Sequence, residues 1–137
     1  MEEDRCRIRG PRRGGRRRPS PAWLTVLTTT DSEEKARLPA QGVVEARLAA
    51  CVQISAPVLA VYRWQNAIET TEEWQLLLKT TAERYDELEA RLQEAHGYDT
   101  PEIIAIPVVR GSAGYLGRVP AETAPATSGG SPGPRLP

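Results

Sequence analysis

Between Trp23 and Pro107 the apolar residues switch repeatedly between a two-residue and a 3.6-residue period, and this alternation restricts the fold more than any other feature. Trp23-Leu24-Thr25-Val26-Leu27-Thr28 is short, rich in β-formers and preceded by Pro19 and Pro21, which predicts a strand. Ala36, Ala40, Val43, Val44 and Leu48 then share one helical stripe, behind Asp31 and Glu34 at capping-box spacing. Pro39 and Gly42 interrupt that stripe, so a kink or break is expected near Leu38. Cys51-Val52-Gln53-Ile54 predicts a short strand stopped by Pro57. Leu59 to Trp64 and Trp74 to Thr80 alternate at strand period and predict an antiparallel hairpin across a polar link, Gln65 to Glu73. Thr80 and Glu83 stand at capping-box spacing before Tyr85, Leu88, Leu92 and Ala95, the clearest amphipathic stripe in the chain. Gly97 sits where a helix C-terminal cap belongs. Glu102 to Ile106 predicts a last strand, and Ser112 to Val119 a short helix weakened by Gly117 and Pro120.

This order is the split βαβ pattern: an α+β, ferredoxin-like (βαββαβ) subunit with a four-stranded antiparallel sheet and two helices on one face. The other face is left bare. Tyr62, Trp64, Trp74 and Leu78 are expected to form an apolar patch there, and such patches mark partners, most often a second copy of the chain.

The ends differ from the middle. Residues 1–20 carry eight Arg and three acids, a net charge of +5, whereas residues 21–119 carry nine basic and fourteen acidic residues, a net of −5. The zero total is thus a cancellation. An acidic domain argues against a nucleic-acid-binding surface on it. Clustered Arg binds phosphate, but the Pro- and Gly-rich, apolar-poor segment 1–20 reads as a disordered tail rather than a secretory signal. Residues 21–122 form the expected domain, and 123–137, rich in Ala, Thr, Ser, Gly and Pro, a second disordered tail. No apolar run approaches the ~18–20 residues of a spanning helix, so no membrane is expected. Two distant Cys exclude a disulfide scaffold, and one His with two Cys cannot close a tetrahedral zinc site within one chain.

Four blocks carry a resemblance. Leu48-Ala49-Ala50-Cys51-Val52-Gln53-Ile54, Val61-Tyr62-Arg63-Trp64, Glu72 to Thr81, and His96-Gly97-Tyr98-Asp99-Thr100-Pro101-Glu102-Ile103-Ile104-Ala105-Ile106-Pro107 resemble the CutA divalent-cation tolerance proteins. The resemblance runs from about Trp23 to about Glu122 and implies a cytoplasmic, non-catalytic homotrimer linked to tolerance of copper and other divalent ions. It also implies architectural kinship with the PII signalling proteins, and so an alternative role as a trimeric sensor or scaffold that binds a small metabolite at subunit clefts. The chain departs from the family's pattern at Pro39 and Gly42, at Gln65-Asn66-Ala67, at Gly97 and Asp99, and at Gly117-Arg118. Where bacterial copper-binding relatives place a Cys near the end of the first strand, this chain has Leu27-Thr28-Thr29.

His96 is the candidate metal ligand. It is the one imidazole, and the resemblance puts a metal-associated His there. With Thr28 in place of a thiolate, weak Cu(II) binding is expected rather than Cu(I) binding. Cys51 reads first as a small buried hydrophobe and second as a soft ligand. Cys51, Tyr62, Trp64, Lys79, Tyr98 and Glu102 are candidates to line a cleft between subunits. Enzyme readings find no support: there is no Ser–His–Asp set, no phosphate-binding glycine loop, and no Arg in the loop from Thr29 to Glu34, where acylphosphatases of this fold need one.

Overall fold

The computed structural model describes residues 22–96 and 100–125. Five strands and three helices follow in the order β1 (Trp23–Thr30), α1 (Glu33–Glu45), β2 (Cys51–Ile54), β3 (Val58–Trp64), β4 (Ala67–Thr81), α2 (Ala82–Ala95), β5 (Ile103–Pro107) and α3 (Ala113–Thr123). The sheet order is β2-β4-β1-β5 and every pairing is antiparallel. β2 and β3 share one lane: β2 pairs with Leu76–Lys79 and β3 with Ala67–Glu73 of the same strand. Across its width the sheet therefore has four lanes, the ferredoxin-like arrangement the periodicity predicts.

Alternation along β4 sorts the side chains. Leu76, Leu78 and Thr80 are fully buried, and the two leucines pack with Val26 of β1, Ala36, Ala40 and Val43 of α1, and Leu88 and Leu92 of α2. Gln75, Leu77 and Lys79 point to the opposite face. The expected patch of Tyr62, Trp64, Trp74 and Leu78 is corrected by this register. Tyr62 pairs with Glu69 and Trp64 with Ala67, odd-numbered positions of β4, whereas Trp74 and Leu78 are even-numbered and belong to the helix-covered face. The bare face instead carries Leu27, Leu77, Ile104 and Ile106, which the registers set side by side.

The hairpin is longer than its polar link suggests. β4 begins at Ala67, so Ala67–Glu73 is strand, and the turn is only Gln65 and Asn66, at φ 48° and 65°. Two left-handed residues make a type I′ turn, whose twist suits the flanking strands. Paired Thr, Glu and Ile side chains on a solvated ribbon satisfy a strand as well as apolar ones do.

Both capping boxes give way to other partners. Ser32 caps α1 by accepting from the Lys35 N–H at 3.2 Å, while Asp31 pairs with the Lys35 ammonium. Thr80 is buried and donates to the Leu48 carbonyl at 2.6 Å, so Thr81 becomes the N-cap of α2. α1 runs through Pro39 and Gly42 without a break. It ends in a Schellman motif with Arg47 left-handed at φ 60°: Arg47 N–H donates to Val44 and Leu48 N–H to Val43.

α3 extends to Thr123, beyond Pro120. Pro120 has no N–H for the Leu116 carbonyl four residues before it. The Trp23 indole N–H takes that acceptor at 2.7 Å. Trp23 has the parity of Thr25 and Leu27, so this bond fastens α3 to the face opposite α1 and α2, where it covers one end of the bare surface. Among the described residues no helix is long and apolar enough to cross a membrane.

Candidate functional site

The candidate residues fall in three separate places. His96 follows the last turn of α2, half-buried, on the helix-covered side of the sheet. Its Nε2 lies 2.9 Å from Thr28 Oγ1, and Thr28 donates its own hydroxyl proton to the Glu102 carbonyl at 2.7 Å. Three elements thus meet at one hydroxyl: the end of α2, the core-facing row of β1 and the residue before β5. A recess of about 280 Å³ opens beside them, lined by Thr28, Thr30, Lys35, Pro39 and His96 over the side chains of Leu76 and Leu92. Burial lowers the His96 pKa, so the imidazole is neutral at pH 7. A neutral ring is the form that ligates metal.

Cys51 and Lys79 occupy a second place, on the opposite face. They are register partners on β2 and β4. The Lys79 ammonium donates to Gln53 Oε1 at 2.7 Å. Tyr115 of α3 comes down beside Cys51. Burial first, then the neighbouring Cys51, raise the phenol's pKa. Cys51 itself is half-buried.

Tyr62 and Trp64 lie in the third place, exposed at the far end of the hairpin. Ten residues of β4 separate Lys79 from Glu69, the partner of Tyr62, which is about 33 Å. A single subunit cannot close these groups into one cleft. Tyr98 lies outside the described residues, as does Gly97. Glu102 contributes its carbonyl to Thr28, while its exposed carboxylate acts on Glu73. Burial first, then the Glu102 charge, hold the Glu73 carboxyl above the usual range.

Among the described residues no three His, Cys, Asp or Glu side chains come together to hold a metal ion. The chemistry of the donors present fits one nitrogen ligand per chain, with any further ligands supplied from elsewhere. A shallower groove of about 400 Å³ runs between α1 and β2 and contains none of the candidates. Tyr115 and the hydroxyl of Thr30 escape a reading of sequence alone. The run Thr28-Thr29-Thr30 is the one available signal, since it puts hydroxyls in a row that is otherwise apolar.

The fold agrees with comparison to known proteins. A family model described as CutA1 divalent ion tolerance protein matches residues 24–121. The chain belongs to the CutA1 divalent ion tolerance family. A divalent-cation tolerance protein CutA of Thermus thermophilus is 44% identical over 91 residues, 66% of this chain and 88% of that one. A solved structure of the Thermus thermophilus protein superposes with a TM-score of 0.72 at 40% identity, over 74% of this chain and 99% of that one. A relative from Arabidopsis thaliana, named as chloroplastic, is 33% identical over 93 residues. These are 68% of this chain and 51% of the plant protein, so the chain spans about half of the plant protein's length.

Proposed function

We propose that this chain is a non-catalytic, cytoplasmic homotrimer that takes part in the response to divalent metal ions and binds Cu(II) weakly through His96. The observation that carries this reading is the neutral, half-buried imidazole fixed between α2, β1 and β5 at the edge of an open recess. Imidazole suits Cu(II), and Thr28 offers a hydroxyl where a soft ion would want sulfur. One nitrogen is too few for a stable site, so the proposed trimer supplies what one chain lacks. Self-association is supported by the bare apolar row of Leu27, Leu77, Ile104 and Ile106, and by the exposed apolar side chains of the hairpin. The open edges of β2, β3 and β5 add unpaired backbone that a neighbour can use.

Calorimetric titration of the full chain with Cu(II) tests this. His96→Ala is expected to remove most of the binding, and Cys51→Ser to leave it nearly intact. Loss of binding in Cys51→Ser with retention in His96→Ala overturns the ligand assignment. Because burial lowers the His96 pKa, binding persists somewhat below pH ~6.5, the ordinary imidazole value, and is lost further down. The sensor alternative predicts instead a thermal shift with a small anionic metabolite that depends on Lys79.

A further inference from the structure

The sequence of α3 does little to hold it as a helix. It has 11 residues, and isolated helices shorter than ~12–15 residues are marginal in water. Gly114, Gly117 and Pro120 stand inside it, and glycine and proline are the weakest helix formers. A Cβ added at Gly114 or at Gly117 meets nothing within 4 Å, so close packing accounts for neither glycine. Pro120 brings no N–H to the helical ladder. The N-cap Ser112 makes no side-chain cap bond, no acid stands in the first turn and no base in the last.

Tertiary contacts hold α3 instead. Val119 and Thr123 are its buried side chains, and Thr123 donates its hydroxyl inside the helix, to the Val119 carbonyl at 2.7 Å. Val119 is, among the described residues, the one buried apolar side chain outside the core cluster around Leu76, Leu78 and Leu88. The Trp23 indole bond to the Leu116 carbonyl fastens one point, and Tyr115 stands beside Cys51 at another. Residues 109–112, between β5 and α3, are exposed and belong to no helix or strand.

We infer that α3 is a strap that opens as a unit, hinged on residues 109–112, while the core stays folded, and that it gates one end of the bare sheet face. A segment with little buried apolar surface opens locally at a lower free energy than the core. Release frees the Trp23 indole and Cys51, and extends the bare row at Leu27 and Leu77 towards Thr25 and Lys79. Closed, α3 keeps that end of the sheet from a partner.

Native-state hydrogen exchange of the full chain, read by NMR, tests this. The α3 amides between Gly117 and Thr123 are expected to exchange through one common opening, on the order of tenfold or more faster than those of Leu78 and Leu88. Gly114→Ala with Gly117→Ala is expected to slow α3 exchange on the order of tenfold and leave the core rates unchanged. Trp23→Phe keeps a ring, removes the donor and is expected to speed α3 alone by about fivefold, the worth of one hydrogen bond. Alkylation of Cys51 by iodoacetamide, located by mass spectrometry to separate it from Cys6, is expected to slow in the alanine pair and quicken in Trp23→Phe. Exchange of α3 at the core's rate, no effect of the alanine pair on α3, or a Trp23→Phe that speeds α3 and the core alike overturns the strap. Cys51 alkylation that responds to neither change overturns the gate. The alanine pair strengthens a helix, so the test does not depend on a variant that fails to fold.

Discussion

One strand, β4, passes through two environments, and the contrast between them explains most of the molecule. Its C-terminal half lies between β1 and β2 under two helices, where Leu76 and Leu78 are 0% exposed. Its N-terminal half pairs only with β3, and there Leu59 is 73%, Val61 64% and Ile68 62% exposed. The first region is complete within one subunit. The second is a two-stranded ribbon, which is marginal alone in water, and it keeps apolar side chains with nothing of its own chain to cover them. A core needs layers, and the arm has one. Its side chains therefore make sense as contacts for another copy.

The sharpest way to break this contrast is to damage the complete half. Leu78→Ala or Leu88→Ala is expected to cost about 2–5 kcal/mol, because each removes a fully buried side chain from tightly packed neighbours; urea unfolding measures this. Trp64→Ala with Ile68→Ala in the arm is expected to cost an isolated subunit no more than about 0.5 kcal/mol, yet to lower the mass of the assembly. A large loss of subunit stability from the arm pair erases the distinction between the two regions.

Smaller gains come from backbone positions inside the complete half. Arg47→Gly relieves a left-handed residue at the end of α1 and is expected to add about 0.5–1 kcal/mol. The Arg47 carbonyl that accepts from Arg84 remains in place. Gly42→Ala is expected to add about 0.5–1 kcal/mol, since a Cβ there meets only the Arg91 guanidinium at 3.9 Å. Thermal unfolding separates these from the neutral changes expected at exposed arm positions.

Acid has the smallest expected effect, with a definite sign. The folded His96 pKa lies below its unfolded value, so its neutral form is the one folding favours. Stability from this group is present above pH ~6.5 and falls as the pH drops through that value toward the folded one. Glu73, with a raised pKa, acts in the opposite direction at lower pH. The stability difference between the unaltered protein and His96→Gln is therefore expected to shrink between pH 7 and pH 5, as denaturant unfolding at each pH reports.

The same contrast explains what the sequence made legible. Leu88 and Leu92 repeat at helical spacing and Val26 sits in a strand whose alternation is plain, so these core positions are legible, whereas the unbroken run Leu76-Leu77-Leu78 hides which face each residue takes. Glu69, Thr70, Thr71 and Glu72 carry no apolar period, because the ribbon has little to bury, so the sequence marks this part of the arm as a link rather than a strand. The separate faces of Tyr62 and Trp74 are not visible in the sequence, because register depends on the turn, and two left-handed residues, Gln65 and Asn66, set it without a glycine. At the candidate site, residue type and resemblance pointed to His96. Its tie to Thr28 was hidden because those residues are 68 positions apart and meet only after β1 and β5 pair. Cys51 and Tyr115 are separated by a comparable length of chain. The bond from Trp23 to Leu116 was unreadable for another reason: it exists because Pro120 leaves a carbonyl without its helical donor.

Other copies of the same chain are expected to complete the incomplete half of this fold. Light scattering at micromolar concentration measures this directly. The expected mass is about 45 kDa, three times the 15.0 kDa chain. A stable 15.0 kDa monomer with the hairpin intact contradicts it.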